Sequence, residues 1–266
     1  MDSQRAGASM AAMSRRILIL GGTAEARRLA ALLADIPGLE VTLSLAGRTA
    51  QPLPQPVPVR TGGFGGVEGL AGHLRRERIE VLIDATHPFA DRISANAAAA
   101  AAMTGVSLVA LRRAPWTRQP GDRWIEVADT EAAVAALGVR PRRVFLAIGR
   151  QEAASFEAAP WHTYLVRSVD PIDPPLAVPQ ADYLLARGPF GEAEEQTLLR
   201  THRIDAIVAK NSGGDATYGK IAAARSLGIE VVMIARPEAE GAAVATVEEA
   251  AEAVAQALAS RTDRGV

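Results

Sequence analysis

The chain has 266 residues, of which 48% are hydrophobic and many of those alanine, with a formal net charge of -1. That is enough chain for one large or two modest domains with a substantial core, and the charge gives no sign of a nucleic-acid partner. The absence of cysteine excludes disulfides, thiolate nucleophiles, iron–sulfur clusters and cysteine zinc sites.

Residues 1–14 are small and polar with one arginine, Arg5, and read as a disordered lead-in rather than a signal peptide. Met1, Met10 and Met13 are alternative starts. No apolar run reaches the roughly 18 residues of a membrane span, and the chain reads as cytoplasmic. Ile17 to Leu20 is apolar at every position, too hydrophobic for a strand with one wet face. Gly21-Gly22 follows, and alanine and leucine then recur at helical spacing from Glu25 to Leu33. A buried strand, a glycine turn and a helix starting on that turn open a doubly wound α/β domain. The helix N-terminus leaves backbone N–H groups unpaired and favours an anion. Thr23 adds a hydroxyl where a phosphate oxygen would sit. It also replaces the second glycine of the G-x-G-x-x-G fingerprint, so a tight turn that binds nothing stays open as the alternative.

A second strand, Leu39 to Leu45, runs into Ser44-Leu45-Ala46-Gly47-Arg48. In a dinucleotide-binding fold this strand end meets the adenosine ribose: an acid holds the 2′-hydroxyl of NAD, an arginine the 2′-phosphate of NADP. Ser44 and Arg48 stand here with no acid, so a bound nucleotide would be NADP. Gln51 to Arg60 carries prolines at 52, 54, 56 and 58 and reads as an extended connection. The loop Thr61-Gly62-Gly63-Phe64-Gly65-Gly66 lets backbone approach a ligand, with Phe64 against a flat ring; a plain entry to the helix Val67 to Arg78 is the alternative. The strand Val81 to Asp84 ends in Ala85-Thr86-His87-Pro88. This places Asp84 and Thr86 at the carboxyl end, where open α/β sheets bind ligands. His87, held on a turn by Pro88, would contact cofactor or donate a proton. His73, His87, His162 and His202 are scattered singly, so no metal site is expected. An alanine-rich helix from Asp91 to Met103 and a strand from Ser107 to Leu111 lead to Arg113-Ala114-Pro115-Trp116.

Together, Leu20-Gly21-Gly22-Thr23-Ala24-Glu25-Ala26, Ser44-Leu45-Ala46-Gly47-Arg48, Asp84-Ala85-Thr86-His87-Pro88-Phe89-Ala90 and Arg113-Ala114-Pro115-Trp116 resemble the precorrin-6A reductases of cobalamin biosynthesis. Leu146-Ala147-Ile148-Gly149-Arg150-Gln151, Ala186-Arg187-Gly188-Pro189-Phe190 and Ala209-Lys210-Asn211-Ser212-Gly213-Gly214 extend the resemblance from Arg16 to Pro237. It implies two Rossmann-like domains with a cleft between them. It also implies an NADPH-dependent reduction of one double bond of the precorrin-6A macrocycle to give precorrin-6B. One departure is Ala147-Ile148-Gly149, where many relatives would carry Thr-Thr-Gly.

In the second half, strands are expected at Asp122 to Val127, Arg143 to Ile148, His162 to Arg167, Asp182 to Ala186, Ala206 to Ala209 and Glu230 to Ile234. Helices are expected from Glu152, from Glu192, over Thr217 to Leu227 and over Val247 to Ala259. The alternation makes a second doubly wound domain, giving an NADP-binding domain over 15–128 and a substrate domain over 129–266. Arg150, Arg167, Arg187 and Lys210 each end a strand, which points to an anionic ligand. A precorrin with its ring of carboxylates suits such forks. Asn211-Ser212-Gly213-Gly214 reads as an anion-binding nest, and Lys220 reaches the same place. Gly149 and Gly188 sit in the turns, and Arg113 and Trp116 complete the expected substrate set. His87, Lys210, Tyr218, a water or the substrate's own propionates are candidate proton donors. Neighbouring pathway enzymes are the expected partners. A cobalt-precorrin-6A substrate and a non-catalytic NADP sensor or carrier remain the rival readings.

Overall fold

The computed structural model describes residues 14–47, 52–237 and 241–262. The first half runs β1 (Arg15–Leu20), α1 (Ala24–Ala34), β2 (Leu39–Leu45), β3 (Val59–Thr61), α2 (Val67–Arg76), β4 (Val81–Asp84), α3 (Asp91–Thr104) and β5 (Ser107–Ala110). There follow β6 (Arg123–Val127), α4 (Thr130–Leu137), β7 (Arg143–Ala147) and a short α5 (Arg150–Ala153) that tightens into a 3-10 turn. The remainder is β8 (Thr163–Ser168), β9 (Ala181–Leu185), α6 (Glu192–Thr201), β10 (Ala206–Lys210), α7 (Gly219–Leu227), β11 (Glu230–Ile234) and α8 (Val247–Thr262). Among the described residues no helix is long and apolar enough to cross a membrane.

The first sheet has the order β3-β2-β1-β4-β5, with every pair parallel. Its centre is buried on both faces, as the unbroken apolar run of β1 requires. Ile17 and Ile19 pack with Ala26, Leu29 and Leu33 of α1, while Leu18 and Leu20 pack with Leu70 and Leu74 of α2 and Ala97 of α3. Each such large side chain contributes about 1.5–3 kcal/mol when taken out of water. Strand order reverses between β1 and β4, so the crevice of this sheet opens over Gly21-Gly22-Thr23 and the segment after Asp84.

The second sheet has the order β6-β11-β10-β7-β8-β9, again all parallel. Phe145, Ile207, Ile221, Val231 and Met233 form the centre of its core. Its reversal lies between β7 and β10, over Gly149 and Lys210-Asn211. The strand order β9-β8-β7-β10-β11 repeats β3-β2-β1-β4-β5 element for element, and local detail repeats with it. Arg78 and Arg203 both take positive φ, 52° and 50°. The isoleucine after each donates its N–H to a helical leucine carbonyl at 2.9 Å (Ile79 to Leu74, Ile204 to Leu199).

The two compact units do not divide the chain near residue 129. Residues 53–112 and 241–262 join residues 14–47, and 113–237 make up the bulk of the second unit. Asp129, the expected boundary, is the N-cap of α4, its carboxylate accepting from Ala132 N at 2.8 Å. The strand β6 pairs with β11 rather than with the first sheet. The place beyond β5 is taken by Val244, bridged to Leu111, with Arg112 N donating to Val244 O at 2.8 Å. Helix α8, expected in the second domain, buries Val247, Ala250 and Val254 in the first unit's core. The connection after the prolines is also more ordered than a linker, since Val59–Thr61 pairs with Leu43–Leu45 as an edge strand.

Candidate functional site

In the first unit, the glycine turn fits a close ligand. The room for it is at Gly22, which has φ +115° and open space around it, whereas Gly21 serves packing, since a Cβ there would lie 2.6 Å from Cδ1 of the core residue Leu43. Thr23 differs from expectation. Its Oγ1 accepts from Ala26 N at 3.1 Å and donates to Ala85 O at 2.8 Å, so the hydroxyl caps α1 instead of waiting for a phosphate. The remaining N–H groups of the helix start keep their anion preference.

Asp84 and Thr86 are also committed internally. Thr86 Oγ1 and N both donate to Asp84 Oδ1, at 2.6 and 3.2 Å, and Arg112 Nη2 lies 3.3 Å from Oδ2. A carboxylate 2% exposed is stable only with such partners, so this pair braces the end of β4 rather than reaching a ligand. His87 is exposed on the following turn beside buried Pro88. Its Nδ1 accepts from Phe89 N at 3.3 Å, which leaves the ring proton on Nε2.

Ser44, at the end of β2, is buried at 5% exposure, and Ala46 follows it at the surface. Arg48 lies outside the described residues. Beside Ser44 the register of β3 places Arg60, a residue that sequence reasoning missed because it ends a proline-rich stretch. Arg60 Nη1 lies 3.4 Å from Ser44 Oγ and also donates to Gly62 O, while Nη2 donates to Gly63 O at 2.7 Å. The guanidinium stacks on Phe64, 3.8 Å from its centroid. Gly69 of α2 was missed as well: a Cβ there would lie 1.7 Å from Phe64 O. A glycine inside a helix was the available signal.

In the second unit, the segment after Arg112 and the segment after β10 are laced together. Trp116 N donates to Asn211 Oδ1 at 2.8 Å, Asn211 Nδ2 donates to Trp116 O at 3.0 Å, and Trp116 Nε1 donates to Gly214 O at 2.8 Å. Arg113 Nε and Arg236 Nη2 both donate to Ser212 O, at 2.7 and 3.0 Å. Gly213, with φ +67°, brings its Cα so close that a Cβ would lie 2.0 Å from Ala114 O. Asn211 N and Ser212 N are spent on Ile234 O and Lys210 O, so the expected nest reduces to Gly213 and Gly214. A hollow of about 370 Å³ is lined by Arg113, Trp116, Thr117, Gly214, Asp215 and Tyr218. A hollow of about 420 Å³ beside Arg142, Arg143 and Asp205 lies at the amino ends of β7 and β10, away from the edge where such sheets bind ligands.

The four strand-end cations do not behave alike. Arg150, the first residue of α5 after Gly149, and Arg187, in the turn before Gly188, are exposed, and Lys210 is paired with Glu152. Arg167 is instead buried, forked onto Glu195 at 2.6 and 3.0 Å and stacked on Phe190. Lys220, expected at the ligand, is 4% exposed. Its Nζ donates to Thr217 O at 2.6 Å and lies 4.7 Å from the centroid of the Trp116 ring. Burial, reinforced by the Arg167 guanidinium, pushes its amine down to about 7. Tyr218 packs 5.8 Å from Trp116, and its oxygen accepts from Arg225 at 3.1 Å, so its own O–H remains a donor.

Residues 16–256 match the sequence profile of the family described as "Precorrin-6x reductase CbiJ/CobK". A curated "Precorrin-6A reductase" from Sinorhizobium sp is 60% identical over 245 residues, 92% of this chain and 94% of that protein. A "Cobalt-precorrin-6A reductase" from Priestia megaterium is 28% identical over 250 residues, covering 90% of this chain and 97% of that one. The solved structure titled "CobK precorrin-6A reductase" superposes with a TM-score of 0.88 at 53% identity, covering 91% of this chain and 97% of that chain. With its two parallel sheets and its matched length, the chain belongs to the precorrin-6x reductase family.

Proposed function

We propose that this reductase uses NADPH to reduce a ring double bond of precorrin-6A, giving precorrin-6B in the cytoplasm. The observation that carries the substrate is the 60% identity, across 92% of the chain, to a protein named for precorrin-6A. Relatives named for the cobalt form stand at 26–28%, which favours the metal-free macrocycle.

The first unit is assigned the cofactor. The open Gly21-Gly22 turn and the start of α1 suit a pyrophosphate. The acid-free end of β2, with Ser44 and Arg60, suits a 2′-phosphate, and the resemblance adds Arg48. When bound, the nicotinamide supplies a hydride to the macrocycle. The second unit is assigned the tetrapyrrole. Trp116 offers an aromatic wall, fixed on both sides by Asn211 and Gly214. Arg113, Arg150, Arg187 and Lys210 face the substrate carboxylates. Hydride plus one proton completes the two-electron reduction. Tyr218, which lines the Trp116 hollow and keeps its O–H as a donor, is the preferred proton source over His87 and Lys210.

The test is anaerobic turnover of purified protein with NADPH and precorrin-6A, following loss of nicotinamide absorbance and the mass of the product. A product heavier by two hydrogen atoms supports the assignment. NADPH binding without turnover of precorrin-6A, or turnover only of the cobalt form, overturns it. In parallel, Arg48→Ala is expected to weaken NADPH binding and leave NADH binding unchanged.

A further inference from the structure

We propose that Arg60 reads the cofactor's 2′-phosphate, with Ser44 as its partner, and that it sets the preference for NADPH over NADH. This rests on the cofactor reading above and adds a residue to it. Parallel pairing sets Ser44 and Arg60 side by side on neighbouring strands. Their side chains meet at 3.4 Å, at the strand end where the adenosine ribose lies in dinucleotide-binding sheets. The guanidinium is fixed before any ligand arrives. Its edge is bound to the Gly62 and Gly63 carbonyls, and one of its faces lies on Phe64. Phe64 is in turn held by the close approach of its carbonyl to Gly69 and by His73, 5.0 Å away ring to ring.

Every one of these partners of Arg60 is neutral: a hydroxyl and two carbonyls. A positive charge locked in place with no counter-charge among the described residues is what a phosphate dianion requires, and a planar fork beside a hydroxyl matches its geometry. A ribose 2′-hydroxyl would instead call for an acceptor carboxylate. The side chain is half-exposed, so a ligand reaches it. The glycine loop that it braces then has two tasks, lining the site and orienting the arginine.

The test is calorimetric binding of adenosine 2′,5′-bisphosphate and adenosine 5′-monophosphate, which differ only in the 2′-phosphate, to the full chain. The unmodified protein is expected to prefer the bisphosphate by about tenfold or more, the size of a charge-assisted contact. Arg60→Ala is expected to shrink that preference below about threefold with little change toward the monophosphate. Equal weakening of both ligands would make Arg60 a loop brace only and would overturn the proposal, as would an unchanged preference. Should Arg60→Ala fail to fold, Arg60→Gln removes the charge but keeps a donor for the loop carbonyls, and the same loss of preference is expected. If the unmodified protein shows no preference, the NADPH reading itself fails. If it does and the variant keeps it, only the role of Arg60 fails.

Discussion

Trp116 and Asn211 hold each other twice, the side-chain amide of one residue closing on both backbone groups of the other at 2.8 and 3.0 Å. The pair ties the segment that enters the second unit to the turn after β10. Replacing Asn211 by Ala strands a donor and an acceptor beside a nearly buried indole. The expected cost is about 1–3 kcal/mol, read as a lower urea midpoint. Tetrapyrrole binding is expected to weaken roughly tenfold as the Trp116 wall loosens.

Arg167 and Glu195 form a pair whose side chains are 7% and 3% exposed. Arg167→Ala or Glu195→Ala alone leaves an uncompensated buried charge and is expected to cost about 3–5 kcal/mol, whereas Arg167→Met with Glu195→Leu recovers most of that loss. Denaturant unfolding of the three variants checks it. The double variant is also expected to keep the KM for precorrin-6A, since Arg167 is spent on Glu195; a large rise in KM would return Arg167 to the substrate.

Lys220 makes stability depend on pH. Its folded-state pKa is lowered from 10.5 to about 7, so between those values the unfolded chain binds the proton and the folded one does not. Stability from this group therefore rises with pH, by roughly 1.4 kcal/mol per unit across that window, and is flat below it. Burial sets the shift, Arg167 and Arg113 reinforce it, and Glu195 opposes it. Lys220→Met removes the dependence. The stability of the unmodified protein minus that of Lys220→Met, from urea midpoints at several pH values, is expected to climb from neutral toward alkaline pH. A constant difference would contradict the buried neutral amine.

Gly69→Ala tests the glycine loop from behind. Alanine favours helix over glycine by about 1 kcal/mol, yet the new methyl carbon would collide with the Phe64 carbonyl. The collision dominates, because a backbone atom cannot swing aside as a side chain can. NADPH is expected to bind about tenfold more weakly in a fluorescence titration, and the melting temperature is expected to fall.

The legible parts of the chain were those whose signal is local. The apolar run of β1, the glycines after it and the helical spacing behind them announce a βα turn within ten residues of sequence. Ser44 was found because it stands at a fixed distance beyond that turn. Arg60 was hidden because its meaning comes from a strand pairing with Ser44, and the prolines before it masked the strand. Arg167 ends a strand as read, but its partner Glu195 comes from a helix 28 positions on, and nothing in an alternating pattern reports that. The division into units was misplaced for a similar reason. Periodicity shows that β6 is a strand and α8 a helix, not which sheet or core each will join.

The route of the last segment reverses the order in which the halves can be finished. The described strands and helices of the second unit all lie between residues 113 and 237, so they are complete as soon as β11 has been made. The first unit is still missing the bridge at Val244 and the apolar face of α8. The half synthesised first is thus the last to close. A chain cut short after β11 would strand the proposed nucleotide unit, not the tetrapyrrole unit, with an open core.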